Sequence, residues 1–287
     1  MGLNIFHTSQ GFSNEDCRVK ETMQKFDRLF DVAFVRPPSN DYENCVSTNP
    51  ASHEIDVTLA LEQHRAYTSI LREAGINVVQ LPPLEGFPDS VFMQDPAILG
   101  TSVSVIGRFG ARSRRGEEKA FSTYLAQGKN AVGKLNFIAE PGTLEGGDIV
   151  VTNRGLFVGK SQRTNSVGIR QLSAFLPQLF ITRVKTELLH LLCSCSYLSE
   201  QRMIVCPDFV DVDYFQEFEL LKIPKEDVYS ADALYLGERR VLIPAGFRRT
   251  ASKLKEAGYR PIEVEMSEFF KGDGGVTCLS SPVYKVF

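Results

Sequence analysis

The sequence predicts one α/β domain built from a recurring strand–strand–helix–strand unit, and three observations carry that expectation. From residue 31 onward, short apolar runs of strand length, rich in β-branched residues, are separated by turns and by longer stretches of helical period. The order of these elements repeats along the chain. No Gly-, Ser- or Pro-rich linker divides the 287 residues, which argues for one large domain over two independent ones.

Val19, Met23, Phe26 and Phe30 fall at spacings of 4, 3 and 4 in a charged background. That is the stripe of an amphipathic helix, so residues 1–30 read as a helical extension and residues 31–287 as the main domain. Asp31–Arg36 reads as a strand; Val57, Ala60, Leu61, His64, Tyr67 and Leu71 form a helical face, and Asn77–Leu81 continues as a strand. The first full unit is Val91–Leu99, Ser102–Arg108, a helix near Glu117–Leu125 and Leu135–Ala139. The second is Ile149–Thr152, Leu156–Gly159, Val167–Leu176 and Leu179–Val184. The order recurs from His190 through Met203–Cys206, and from Ala233 through Val241–Pro244, Thr250–Ala257 and Pro261–Val264. A fifth first strand would start near Val276, where too little chain remains for a helix. The two termini could complete that unit together and close the array into a ring. An open mixed sheet satisfies the same periodicity.

Composition removes several function classes. Apolar residues at 43% and charged residues at 23% are those of a soluble globular protein with a substantial core. Lys and Arg number 32 against 35 Asp and Glu, so no global positive field recruits nucleic acid. The longest apolar runs, such as Leu188–Cys193, fall far short of the roughly 20 residues that span a bilayer. The first 25 residues lack an apolar signal core, and Phe6 stands where myristoylation wants Ser or Thr. Six cysteines are too sparse for a disulfide scaffold; they read as reduced thiols of a cytoplasmic protein without a membrane partner.

Polar residues unusual for a strand sit at similar places in the units: Asp95, Glu145 with Asp148, His190, Asp232 and Cys278. Singly each has a bland explanation. Asp89 and Asp95 flank turns, Glu145-Gly-Gly-Asp148 makes a tight turn, and His190 fits a satisfied core histidine. Jointly, a Cys and a His with two carboxylates supply a nucleophile, a proton shuttle and a clamp for a cation. A planar guanidinium fits two carboxylates better than an ammonium does. A rival zinc reading of His190-x-x-Cys193-x-Cys195 ranks well below, because no fourth ligand stands at comparable spacing. Arg112-Ser-Arg114-Arg115 reads as a solvated basic turn.

On these residues the sequence resembles the dimethylarginine dimethylaminohydrolases, members of the guanidine-modifying enzymes, or penteins. The matching segments are DVTLALEQH (56–64), FPDSVFMQDP (87–96), GRFGARSRRGE (107–117), PGTLEGGDI (141–149), SQRTN (161–165), LHLLCSCSYL (189–198), IPAGFRRT (243–250) and DGGVTC (273–278). The resemblance implies a five-bladed α/β propeller of ββαβ units with pseudo-fivefold symmetry, its last blade closed by the two termini. It makes Cys278 the nucleophile, His190 the general acid and base, and Glu145 with Asp95 the guanidinium clamp. It assigns Arg108 and Arg163 to the substrate carboxylate, Asp56 to the α-amino group, with a helix N-cap as the alternative, and Val46 to a flexible lid. The family's acidic residue before the clamp Asp is here Gln94, its Lys second after the His is Leu192, and a bulky apolar residue near the C-terminus is Gly272. Gln94 is therefore expected at the pocket as a specificity position, with Gln94→Glu lowering KM for methylated arginines. The implied reaction releases citrulline and dimethylamine or methylamine through a Cys thiouronium, with neither metal nor organic cofactor. The expected partner is a small guanidino amino acid, with a homodimer left open. Arginine deimination to citrulline and ammonia, or guanidine binding without catalysis, are the alternatives.

Overall fold

Three of the inner strands are largely apolar runs buried along their whole length, and three of the rim strands are exposed at both ends. The contrast separates β3 (Ala97–Gly100), β6 (Ile149–Thr152) and β12 (Leu234–Gly237), buried throughout, from β2 (Asn77–Gln80), β5 (Lys134–Phe137) and β11 (Glu219–Lys222), whose end residues are exposed. The protein is described by a computed structural model over residues 27–128 and 132–287. The N-terminal helical stripe up to Phe26 lies outside the described residues. Phe30, counted with that stripe from sequence, instead opens β1 (Phe30–Val35) and packs its ring on Tyr284.

Each repeat is a hairpin followed by a crossover to a parallel third strand. The remaining strands are β4 (Val103–Ile106), β7 (Gly155–Lys160), β8 (Ile181–Lys185), β9 (Cys195–Ser199), β10 (Arg202–Val205), β13 (Arg240–Pro244), β14 (Arg260–Val264) and β15 (Ser280–Tyr284). The triplets β3-β4-β5, β6-β7-β8, β9-β10-β11 and β12-β13-β14 all pair antiparallel then parallel. Parallel pairing needs a long connection. Helices α2 (Glu117–Leu125), α3 (Ser166–Phe175) and α4 (Arg248–Glu256) provide it in three repeats. The repeat from β9 departs from the expected order. Its crossover holds only a 3-10 turn, Val212–Phe215, whose start is fixed by the Asp211 side chain accepting from the Asp213 N–H.

The fifth triplet joins the ends of the chain. β15 pairs antiparallel with β1, and β1 runs parallel to β2 after crossing through α1 (Val57–Glu73). β15 also pairs parallel with β3 through Val283 and Tyr284, giving a six-stranded mixed sheet in the order β2-β1-β15-β3-β4-β5. β9 packs beside both β6 and β12. A short helix, α5 (Ser267–Lys271), leads to the segment before β15. Apolar faces of α1 (Ala60, Tyr67, Leu71) and of α3 (Ile169, Leu172) seal separate cores against their sheets. Among the described residues no helix is long and apolar enough to cross a membrane.

Candidate active site

Three of the inner strands begin several residues later than the sequence suggests, at 97, 195 and 280, while those at 149 and 234 begin at or within one residue of the expected place, and the polar residues sit in the turns that precede them. Glu145 caps the 3-10 turn Gly146–Asp148, His190 caps Leu191–Cys193, and Asp232 ends Lys225–Ala231. Asp95 lies between the turn Pro88–Val91 and β3, and Cys278 in the turn before β15. All five are buried.

The carboxylates of Glu145 and Asp95 bracket the His190 imidazole. Its Nε2 lies 2.9 Å from Glu145 Oε2, and its Nδ1 lies 3.8 Å from Asp95 Oδ1. Glu145 Oε1 also accepts from the Gly110 N–H at 2.9 Å, and Arg163 Nη1 stands 3.6 Å from Glu145 Oε2. Gly147 donates its N–H to Asp95 Oδ1 at 3.2 Å. A Cβ at Gly147 would come within 2.7 Å of both Asp95 and His190, so the turn has no room for a side chain. Asp148 pins the His190 turn, accepting from the Leu191 N–H at 3.1 Å and the Ser161 hydroxyl at 2.6 Å.

These contacts fix protonation. Burial alone would raise the Glu145 carboxyl, but the His190 bond and charge, with Arg114 and Arg163, override it and hold it at about 2. Burial alone would lower His190, and Asp95, the Glu145 bond and Asp148 instead raise it to about 9. At neutral pH the pair is imidazolium and carboxylate. For Cys278, burial first and the Asp232 and Asp95 charges next push the thiol well above its ordinary value.

Arg114 was hidden in the basic run. It is a buried side chain rather than part of a solvated turn: Nη1 donates to Asp95 Oδ2, and Nε and Nη2 donate to Glu117 at 3.0 and 2.9 Å. Its guanidinium lies 4.4 Å from the Phe109 ring centroid. Glu117, three residues on, was the one local signal; Asp95 is 19 residues away in sequence.

A small cavity of about 20 Å³ gathers Cys278, His190, Asp95, Arg163, Val46 and Gly272. Val46 is 43% exposed at its edge, with its N–H on the Asp89 carboxylate at 3.2 Å. Glu145 stands behind His190. Besides Glu145, three of the expected residues do not line this cavity. Asp56 caps α1, accepting from the Thr58 and Leu59 N–H groups at 2.8 and 3.1 Å. Arg108 turns to the Gly142 carbonyl and the Glu140 carboxylate. Gln94 donates to the Gly146 carbonyl at 3.2 Å and, with Leu192, faces a separate channel of about 450 Å³ between the inner strands.

Asp95, Glu145 and His190 offer ligand atoms within 4.8 Å of one another. Their donor set does not suit a metal ion, because His190, Gly110, Gly147 and Arg114 already donate to the two carboxylates. Cys195 is turned to the Leu191 carbonyl, so His190, Cys193 and Cys195 do not assemble as the zinc reading requires.

Comparison with known proteins identifies relatives of this chain. The family described as N,N dimethylarginine dimethylhydrolase, eukaryotic, matches residues 33–285. The N(G),N(G)-dimethylarginine dimethylaminohydrolase of Pseudomonas aeruginosa is 40% identical over 228 residues, covering 78% of this chain and 89% of that protein. A structure of the Pseudomonas aeruginosa enzyme, a Cys-to-Ser mutant complexed with citrulline, superposes with a TM-score of 0.83 at 35% identity, covering 88% of this chain and 99% of the other. The N-terminal domain of ArgZ, a cyanobacterial arginine dihydrolase, shares the fold at a TM-score of 0.80 and 20% identity, covering 88% of this chain and 98% of that one.

Proposed function

The chain belongs to the dimethylarginine dimethylaminohydrolase family of hydrolases acting on guanidino compounds, and we propose that its own substrates are Nω-methylated arginines, cleaved to citrulline and dimethylamine or methylamine. The observation that carries this reading is the shared cavity of Cys278 and His190, with the imidazole held charged between Glu145 and Asp95. We read the five strand triplets as the blades of one ring, with this cavity at its centre.

The guanidinium carbon is a poor electrophile, since resonance spreads its charge, and a thiolate is the strongest nucleophile that a side chain offers near neutral pH. Cys278 Sγ adds to that carbon, and the His190 imidazolium protonates the departing amine, leaving a cationic thiouronium. Neutral His190 then takes a proton from water as the oxygen adds, and collapse expels the thiolate and releases citrulline. Asp95 holds the cation in the cavity through a lone pair left over from its present bonds, and Glu145, behind His190, holds the imidazole. Arg163, whose buried Nη1 has no hydrogen-bond partner among the described residues, meets the substrate carboxylate. Val46 covers the site, and Asp56 and Arg108 serve the amino-acid end from outside the cavity.

The test is incubation with arginine, monomethylarginine and dimethylarginine, with citrulline and the released amine both measured. Methylated substrates should give equal amounts of citrulline and methylamine or dimethylamine, and Cys278→Ser should reduce both by about 10³-fold or more without loss of the fold. Ammonia from arginine alone would assign the deiminase reaction, and no product from any of the three would leave a binding protein.

A further inference from the structure

We propose that Asp232 is the base that takes the thiol proton of Cys278, so that His190 enters the reaction already charged as the acid for the departing amine. The proposal rests on the hydrolytic reading above and names the group that generates its nucleophile. The family resemblance assigns Asp232 no role.

The geometry is that of a built contact. Cys278 Sγ lies 3.7 Å from Asp232 Oδ2, within reach of an S–H···O bond, while Oδ1 accepts from the Thr277 N–H at 2.7 Å. The carboxylate is thereby fixed to the turn that carries the nucleophile. Gly275 lies in that same turn, and a Cβ there would come within 2.3 Å of Asp232 Oδ2. The Tyr229 hydroxyl, from the turn ending at Asp232, donates to the Gly274 carbonyl and joins the two segments. Asp232 is 3% exposed, so no bulk water competes for its oxygen.

Proton bookkeeping points the same way. Burial and the neighbouring carboxylates keep Cys278 a thiol. His190 cannot receive that proton, because Glu145 and Asp95 face its two nitrogens and keep it protonated up to about 9. Asp232, raised to about 6 by burial against the Thr277 and Cys278 hydrogen bonds, is ionised at neutral pH and touches Sγ. The charged or titratable groups facing the pair from neighbouring elements are Asp95, His190, Cys193, Tyr229, Tyr67 and Tyr42, with Asp89, Arg114, Arg163 and Asp273 lining the same cavity as Cys278. Of the other carboxylates, Asp95 already accepts from Arg114 and Gly147, Asp89 from the Val46 N–H and Asp273 from Thr48, whereas Asp232 accepts from Sγ.

The transfer runs uphill by itself and is drawn forward by the cationic substrate, which stabilises the thiolate. The S–H bond breaks, its proton moves to Asp232 Oδ2, and the sulfur pair forms the bond to the guanidinium carbon. His190 gives its proton to the leaving nitrogen and regains one from water. When the second tetrahedral species collapses, the expelled thiolate takes its proton back from Asp232, and the last hydroxyl proton ends on the released amine in solution.

Asp232→Asn keeps the shape and the acceptor for Thr277 while removing the base, and it gives two readouts of opposite sign. Turnover, as kcat/KM for the best guanidino substrate, should fall about 100-fold or more. Alkylation of Cys278 by iodoacetamide, followed by mass spectrometry across pH, should move the other way, its inflection shifting at least about one pH unit lower because a neighbouring negative charge is gone. A merely structural residue would lower both together; that result, or kcat/KM kept within threefold, would overturn the proposal. If the variant does not fold, the wild-type kcat/KM profile decides: an acid limb near pH 6 is required, and a profile flat from pH 5 to 7 rejects it. Alkylation needs no substrate, so a protein that hydrolyses no guanidino compound refutes the hydrolase reading while the iodoacetamide shift still judges Asp232.

Discussion

Gln94 adjoins Asp95 in sequence, yet their side chains serve different spaces. Asp95 lines the cavity with Cys278, whereas the Gln94 amide reaches the Gly146 carbonyl and faces the channel behind it. The expectation that Gln94→Glu lowers KM therefore gives way to a different one. The replacement removes the only donor of that side chain and sets a buried carboxylate against a carbonyl oxygen, at a cost of about 1–3 kcal/mol in stability. The ratio of kcat/KM between dimethylarginine and arginine should stay unchanged, since a group without differential contact cannot alter discrimination. Denaturant midpoints and that ratio test both halves, and a changed preference would return Gln94 to the substrate pocket. Cys278, His190, Glu145 and Asp95 were legible because the repeat places one chemically unusual residue at the same point of each unit. Arg114 was not, because a cation in a run of cations gives no sign that its partner is a carboxylate far along the chain.

Helices were easier to read than turns. The apolar face of α1 shows its period, and Ala60, Tyr67 and Leu71 are all buried as that period requires. The segments before the inner strands show no period: Val91, Phe92 and Met93 are buried in or beside a 3-10 turn, and an apolar run in a buried turn has the same composition as one in a strand. That is why first strands were placed several residues early at 91, 190 and 276. The same ambiguity surrounds Asp56, which both caps α1 and aligns with a substrate contact. Two replacements separate the roles. Asp56→Ala should cost about 1 kcal/mol in stability through the loss of two N–H acceptances, while Asp56→Asn keeps the cap and should leave stability within about 0.5 kcal/mol. If Asp56 also meets the α-amino group, KM rises in the Asn variant with unchanged melting; an unchanged KM leaves the cap as its whole function.

The shared repeat at the termini was legible as arithmetic, since the last unit lacks a helix at one end and the first segment has a helix and strands to spare. What the arithmetic could not give was the second pairing of β15, to β3, because which edge a closing strand meets is a property of the whole chain. β15 thus lies between β1 and β3, and the residues after it fasten the same seam: Lys285 donates its N–H to the Leu29 carbonyl, and the Phe287 carbonyl accepts from the Ser102 N–H. Removing residues 282–287 takes away most of both ladders and the buried side chains of Val283 and Phe287. Each such side chain contributes roughly 1.5–3 kcal/mol by burial. Together with the orphaned N–H and C=O groups of β1 and β3, the loss approaches the roughly 5–15 kcal/mol that hold an ordinary domain together. The truncated chain retains every residue assigned to chemistry, Cys278 included, so a site sustained by its own turns would keep its activity. The expected result is the opposite: no cooperative thermal transition and no citrulline, because the turn bearing Cys278 is anchored by the strand that follows it. Melting within a few degrees of the full chain would mean that the sheet holds without its central strand.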